Sequence, residues 1–81
     1  MDVTLYGLST CPYCKMTKRY LDDNNVAYSM VEVDKLEGDE RQAAIDTVKS
    51  LSGGTSFPVL SAGDQVVVGF NKTKLASVLG L

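Results

Sequence analysis

The feature that most constrains this 81-residue chain is its only pair of cysteines, Cys11 and Cys14, which two residues separate. The pair follows an apolar run typical of a β-strand, Val3 to Tyr6, and opens a segment whose pattern predicts a helix, Pro12 to about Asp22. The chain is therefore expected to begin with a strand that leads directly into a helix carrying both thiols.

The position of the cysteines at a helix start suggests their chemistry. The first turn of a helix leaves backbone N–H groups unpaired and carries roughly half a positive charge, so an anion is stabilised there. Cys11 is predicted at or next to the N-cap, with Pro12 at the first helical position. We expect the Cys11 thiolate to form easily, and Cys14, one turn further on the same side, to close a disulfide with it.

Two structural interpretations of the pair compete with redox use. A four-residue disulfide ring would stabilise the fold by only about 2 kcal/mol, against about 3 kcal/mol for a fifteen-residue loop. A zinc site would need two further ligands, and the chain has no histidine and no third cysteine. Redox use is therefore favoured, while a metal or cluster shared between two chains stays an alternative.

Length and composition exclude several classes of function. Residues 1–81 are predicted to form a single domain. Ten acidic and eight basic residues are interspersed along the chain, which argues against nucleic-acid binding. The sequence shows no apolar run of about 18 residues and no charged-then-apolar leader, so no membrane association is predicted. Two closely spaced cysteines fit a reducing compartment, and a cytoplasmic location is expected.

The first half of the chain is predicted to be a βαβ unit. A second strand, Val26 to Val33, follows the cysteine-bearing helix and should lie parallel to the first strand with a right-handed crossover. The cysteines then lie at the carboxyl end of the first strand, the edge at which open α/β sheets bind ligands. After a loop, Asp34 to Gly38, Asp39 and Gln42 resemble a capping box that opens a second helix.

The second half is predicted to add a hairpin and a helix. The second helix ends at Ser52-Gly53-Gly54, and a third strand starts at Phe57-Pro58. The strand Gln65 to Val68 returns as its hairpin partner. Asn71 is the expected N-cap of the last helix.

Together these motifs resemble the glutaredoxins of the thioredoxin superfamily, almost end to end. The resemblance rests on Cys11-Pro12-Tyr13-Cys14, on Thr55-Ser56-Phe57-Pro58 and on Gly69-Phe70 before the last helix. It implies an α/β, thioredoxin-like fold: a four-stranded mixed sheet in the order 2-1-3-4 with three helices on its two faces. It also implies a cis Phe57–Pro58 peptide bond packed against the cysteines.

The resemblance further implies a small cytoplasmic dithiol–disulfide oxidoreductase. Cys11 would attack a disulfide of a client protein, and Cys14 would resolve the mixed disulfide. Other residues are expected to bind substrate: Pro12, Tyr13, Phe57, Pro58, Gly69 and Phe70. The protein is expected to be a monomer. It is expected to use the Cys11–Cys14 disulfide and to bind no other cofactor and no metal.

Two subfamilies are compatible with these motifs. Glutathione-using glutaredoxins carry a lysine shortly before the first cysteine, where this chain has Leu8, and a Gly-Gly motif that Val68 to Lys72 replaces. By contrast, Thr17-Lys18-Arg19, Val31 to Asp34 and Gly69-Phe70 resemble the NrdH-type redoxins, which supply electrons to ribonucleotide reductase. The C-P-Y-C motif and the longer segment from Leu36 to Ser56 depart from that type.

The resemblance leaves three functions to compare. The first is an electron carrier that reduces client proteins, with ribonucleotide reductase as one candidate client. A thioredoxin-reductase-type enzyme would regenerate this carrier. The second is a glutaredoxin that uses glutathione. The third, of another class, is an iron–sulfur carrier in which Cys11 of two chains and two glutathione thiols hold a cluster. A pure interaction module would leave both cysteines without a purpose.

Overall fold

A computed structural model describes residues 2–81, which form four strands, three α-helices and one short 3₁₀ turn. The elements are, in chain order, β1 (Val3–Gly7), α1 (Pro12–Asp23), β2 (Ser29–Glu32), the 3₁₀ turn (Val33–Lys35), α2 (Gly38–Ser52), β3 (Val59–Ala62), β4 (Gln65–Val68) and α3 (Lys72–Leu79).

The strands form one mixed sheet in the order β2-β1-β3-β4. β1 runs parallel to β2, with α1 as the crossover between them, and β1–β3 and β3–β4 are antiparallel. The predicted strand order and the parallel first pair are confirmed. Only the parallel pair needs a long crossover, because antiparallel strands can be joined by a short turn.

The register of the sheet brings four chain segments to one edge. Tyr6 of β1 lies opposite Val59 at the start of β3, and Val59 lies opposite Val68 at the end of β4. On the other side of β1, Gly7 lies opposite Glu32 at the end of β2. The loops that follow β1, β2 and β4, and the loop that precedes β3, therefore meet at this edge.

The core lies on both faces of the sheet. Leu21 of α1 and Leu75 of α3 belong to one buried cluster with Leu5 and Leu60 of the central strands. Val48 of α2 is fully buried outside that cluster, and α2 packs against β3 and β4. Burying one such leucine contributes about 1.5–3 kcal/mol, so these side chains fix α1, α2 and α3 against the sheet and thereby fix the cysteine-bearing helix start.

The second strand is shorter than predicted. It covers Ser29–Glu32, whereas the sequence pattern predicted Val26 to Val33. The Val26 N–H donates to the Leu21 carbonyl, 3.0 Å away, and so closes the end of α1, while Val33 already belongs to the 3₁₀ turn. β2 is an edge strand with β1 as its one neighbour, and its ladder extends only as far as β1 does.

The predicted starts of the second helix and of the third strand are also wrong. α2 begins at Gly38 with Glu37 as a cap that makes no side-chain hydrogen bond, and Gln42 donates to Asp46 at 3.0 Å instead of forming a capping box with Asp39. β3 begins at Val59, two residues later than predicted. Proline has no N–H for the sheet ladder, which favours a start beyond Pro58.

The predicted hairpin and the last helix are confirmed. The β3–β4 hairpin turns at Gly63, whose φ of 62° favours glycine. Asn71 is the N-cap of α3, and its side chain accepts the Lys74 N–H at 3.0 Å. Within residues 2–81, no helix has the length and apolar character needed to cross a membrane.

Candidate active site

Cys11 occupies the N-cap of α1, as the sequence predicted. Its backbone is extended (φ −82°, ψ 119°), Pro12 follows in the first turn, and the Cys11 Sγ accepts the Cys14 N–H at 3.3 Å. The Cys11 side chain is half-buried, so its sulfur is reachable from solvent. The Cys11 sulfur therefore lies at the start of the helix and contacts a backbone N–H donor.

Cys14 has a different environment, although it lies one turn away. The residue is 1% exposed, and the Leu8 N–H points at its Sγ from 3.5 Å. Burial raises the pKa of the Cys14 thiol to about 12, and the hydrogen bond with Cys11 and the charges of Cys11 and Asp34 act in the same direction. The Leu8 N–H opposes them. Cys14 therefore keeps its proton at neutral pH.

Gly7 gives the buried cysteine its space. A Cβ at Gly7 would lie 3.1 Å from both the Cβ and the Sγ of Cys14, and 3.3 Å from the Met30 methyl carbon. A side chain here would therefore push α1 away from β1. Spacing along the chain carries no information about this contact, so the sequence could not predict it.

A hydrogen-bonded pair that the sequence analysis missed holds the loop before Cys11. The Ser9 N–H donates to Oδ1 of Asp34 at 3.0 Å, and the Ser9 hydroxyl donates to Oδ2 of the same carboxylate. The hydroxyl first, and then the N–H, lower the pKa of Asp34. One signal was available: Ser9 and Asp34 each follow one of two parallel neighbouring strands, whose carboxyl ends share an edge.

The loop before β3 reaches the same edge. The Phe57–Pro58 peptide bond is cis, as the resemblance implied. Pro58 is fully buried, and its carbonyl accepts the Gly69 N–H at 2.8 Å, which joins this loop to the one after β4. The structure thus brings Phe57, Pro58 and Gly69 to the edge that carries Cys11.

Aromatic side chains and a groove lined by apolar and charged residues lie along α1. Tyr13, in the first turn of α1, is 60% exposed, and the neighbouring Pro12 is also exposed. Phe70 is half-buried and meets Tyr20 edge to face, with ring centroids 6.3 Å apart. Phe70 also lines a groove of about 320 Å³ whose walls are Met16, Arg19, Tyr20, Asp23, Phe70 and Lys72.

This arrangement of a capped thiol, a buried second thiol and a cis proline at one sheet edge is accompanied by a family match. The family model described as Glutaredoxin matches residues 3–67. The chain belongs to the glutaredoxin family. Glutaredoxins are thiol–disulfide oxidoreductases, and the close Cys11–Cys14 pair of this family member fits that chemistry.

A relative of similar length is known. A glutaredoxin-like 8.6 kDa protein of the rubredoxin operon of Clostridium pasteurianum is 33% identical over 79 residues, which cover 95% of this glutaredoxin-family chain and 96% of the relative. Two other glutaredoxins that match are longer, and the matched parts cover 42% and 43% of their lengths.

Solved structures of the family superpose closely on this member. The glutaredoxin of Archaeoglobus fulgidus is 45% identical with a TM-score of 0.93, over 96% of this chain and 85% of the other. The NrdH-redoxin of Escherichia coli is 26% identical with a TM-score of 0.80, over 95% and 93% of the two chains. The predicted thioredoxin-like fold is thus confirmed.

Metal ligands are sparse at this glutaredoxin-type site. Across positions 2 to 81, no three residues of the types His, Cys, Asp and Glu come together in a way that could hold a metal ion.

Proposed function

We propose that this protein is a small dithiol electron carrier that reduces disulfides of client proteins, with Cys11 as nucleophile and Cys14 as resolving thiol. The observation that carries the proposal is the asymmetry of the pair. Cys11 is reachable and accepts an N–H of its own helix, whereas Cys14 is 1% exposed with its pKa raised to about 12. An accessible thiolate next to a protected thiol suits attack followed by resolution.

The reaction proceeds in two exchange steps. The Cys11 thiolate attacks one sulfur of the client disulfide, which forms a Cys11–client disulfide and releases the other client sulfur as a thiolate. Cys14 then loses its proton to solvent and attacks the Cys11 Sγ, which forms the Cys11–Cys14 disulfide and releases the second client thiolate. The client gains two electrons, and the cysteine pair loses two.

The client segment is expected to lie along the loops at the cysteine edge. The Phe57 backbone, which precedes β3 at this edge, is proposed to pair through its N–H and C=O with an extended client segment. Tyr13 and Phe70 supply apolar contacts on the α1 side, where Tyr13 is 60% exposed. Gly69, tied to Pro58 by a 2.8 Å hydrogen bond, keeps the two loops in a fixed relation.

Trapping of mixed disulfides tests the assignment of the two cysteines. Cys14→Ser should still attack a disulfide-bonded client but should not resolve the product, so a Cys11–client adduct accumulates and shows on non-reducing gels. Cys11→Ser, its matched control, should trap little, because Cys14 is buried. More adduct with Cys11→Ser than with Cys14→Ser would reverse the roles.

A protein disulfide reductase, and not glutathione, is proposed as the electron donor. Glutathione carries two carboxylates, and each needs a charged partner to be held against water. Leu8 stands where glutathione-using relatives carry a lysine, and its side chain supplies neither charge nor a hydrogen bond. Losing one charged hydrogen bond costs about 1.5–3 kcal/mol, a factor of roughly 10 to 150 in affinity.

One observation favours the second candidate, a glutathione-dependent glutaredoxin. Lys15 and Lys18 line the same small cavity as Leu8, about 120 Å³ in volume, so cations are available near this position. The α3 start at Asn71 and Lys72 offers a further site for an anion.

A donor assay with two variants of Leu8 separates the candidates. The oxidised protein should be reduced fast by a thioredoxin-reductase-type enzyme and slowly by glutathione with glutathione reductase. Leu8→Lys should lower the KM for glutathione roughly tenfold or more, because it restores one charged contact. Leu8→Met, which keeps size and neutrality, should leave that KM unchanged. Fast turnover of the parent with glutathione alone would support the second candidate and contradict the first.

Ribonucleotide reductase is the proposed client by similarity to the NrdH-type redoxins. The NrdH-redoxin of E. coli is described as having a thioredoxin-like activity profile, and the similarity to it covers nearly the whole chain. A cytoplasmic monomer is proposed for such a carrier.

The iron–sulfur alternative predicts visible absorbance in protein purified without oxygen, whereas the carrier should be colourless.

A further inference from the structure

We propose that Asp34 is a positioning residue for the resolving cysteine: by holding Ser9 with both carboxylate oxygens, it fixes the turn that points the Leu8 N–H at the Cys14 sulfur. The inference rests on the proposed role of Cys14 as resolving thiol. Asp34, which lies outside the C-P-Y-C motif, would thereby assist the attack of Cys14 on the mixed disulfide.

The contacts form one continuous chain. Asp34 accepts both the backbone N–H and the hydroxyl of Ser9, so it constrains the Ser9 backbone as well as its side chain. In the adjacent turn the Leu8 carbonyl accepts the Cys11 N–H at 3.2 Å, while the Leu8 N–H faces the Cys14 Sγ at 3.5 Å. Holding Ser9 therefore holds the peptide group that contacts the buried sulfur.

The Leu8 N–H matters most when Cys14 attacks. Cys14 must lose its proton, and a negative charge then develops on a sulfur that is 1% exposed to water. A backbone donor already in place stabilises this charge without reorganisation. Attack by Cys11 depends less on the turn, because the Cys11 sulfur takes its hydrogen bond from Cys14 N–H of α1 itself.

The charge of Asp34 acts against its geometry. As an anion near Cys14, Asp34 disfavours the Cys14 thiolate, whereas as an acceptor for Ser9 it places the donor that favours the thiolate. Asp34→Asn separates the two effects, since an amide can accept from the Ser9 N–H and donate to the Ser9 hydroxyl oxygen without charge. Asp34→Ala removes both effects.

A two-step reaction with a symmetrical nitrobenzoate disulfide measures attack and resolution separately in the reduced full-length protein. Cys11 displaces one coloured nitrobenzoate thiolate and forms a mixed disulfide, and Cys14 then displaces the second and closes the Cys11–Cys14 disulfide. Stopped-flow absorbance gives one rate for each release. The comparison includes the parent, Asp34→Asn, Asp34→Ala, Ser9→Ala and a control, Asp39→Ala, which removes an exposed carboxylate in the first turn of α2.

The inference predicts a change confined to the second release. In Asp34→Ala the second rate should fall roughly tenfold or more, as small displacements of a reacting group can cause, while the first rate stays close to that of the parent. Asp34→Asn should keep the second rate or raise it, Ser9→Ala should lower it to a smaller extent, and Asp39→Ala should change neither rate. If Asp34 contributed only its charge, Asp34→Asn and Asp34→Ala would change the second rate to the same extent.

Three outcomes would overturn the inference: an unchanged second rate in a folded Asp34→Ala protein, equal slowing of both releases, or Asp34→Asn as slow as Asp34→Ala. The proposed function fails separately, since a parent protein that releases only one thiolate per molecule has no resolving cysteine. Circular dichroism of each variant confirms that it is folded, and Ser9→Ala tests the same contact if Asp34→Ala does not fold.

Discussion

At the scale of single residues, the site depends on the lack of a Cβ atom at Gly7. Gly7 has no side chain, and this absence lets the Cys14 side chain pack directly against the end of β1. The same closeness excludes water from the Cys14 sulfur, and burial is the largest cause of its raised pKa. A glycine outside the C-P-Y-C motif thus contributes to the difference between the two cysteines, which lie three positions apart.

Gly7→Ala should therefore destabilise the reduced protein. The added methyl group would lie 3.1 Å from Cys14 atoms in a packed region, and such overpacking costs about 1–3 kcal/mol. The free energy of unfolding, measured with urea, should fall by this amount. Gly54→Ala is the matched control, because a Cβ at Gly54 would meet no atom within 4 Å. Equal effects of the two substitutions would contradict the role of Gly7.

At the scale of elements, two helices use the same type of cap for different purposes. The side chain of Cys11 accepts the Cys14 N–H at the start of α1, and the side chain of Asn71 accepts the Lys74 N–H at the start of α3. The Cys11 cap uses sulfur, which is a weak acceptor, and this sulfur is the nucleophile of the proposed reaction. The Asn71 cap serves the stability of a helix of eight residues.

Asn71→Ala should lower the free energy of unfolding by about 1 kcal/mol, because one N–H of the first turn of α3 loses its partner. Asn71→Asp, the control, keeps the acceptor and adds a negative charge at the helix start, so its stability should match or exceed that of the parent. Urea denaturation at neutral pH measures both. An Asn71→Ala midpoint equal to that of the parent would show that the cap contributes nothing.

At the scale of the whole molecule, folding keeps protons on two groups that would lose them in the unfolded chain. Burial raises the pKa of Cys14 from 9.0 to about 12, and burial together with the hydrogen bond to Asp22 raises the pKa of Tyr28 from 10.0 to about 12. In both cases the folded state favours the protonated form more than the unfolded chain does. Their contributions to stability are fully present below about pH 9 and are lost as the pH rises toward 12.

The reduced protein should therefore lose stability steeply between about pH 9 and about pH 12, relative to a variant without these groups. Cys14→Ala should show a shallower decline of the unfolding midpoint from about pH 9 upward, and Tyr28→Phe a shallower decline from about pH 10 upward. Thermal melts of reduced protein across this range measure the slopes. Parallel curves for the parent and both variants would contradict the raised pKa values.

The sequence by itself determined the order of elements and the place of the chemistry. A strand that ends just before two cysteines and a proline in the first helical position are local signals, and the structure has α1 from Pro12 with Cys11 as its cap. The cis bond before Pro58 followed from resemblance, since the local sequence is compatible with both isomers. Strand ends were less well predicted, because β2 ends where its pairing with β1 ends.

Only the tertiary structure decided how the site is supported. Asp34 lies 25 positions from Ser9, and their contact exists because parallel β1 and β2 end at the same edge of the sheet. Likewise, Gly7 shapes the environment of Cys14 through packing of α1 on β1. Local patterns report on neighbours one to four positions away, whereas burial and long-range hydrogen bonds depend on the register of the sheet, which forms only when the whole chain has folded.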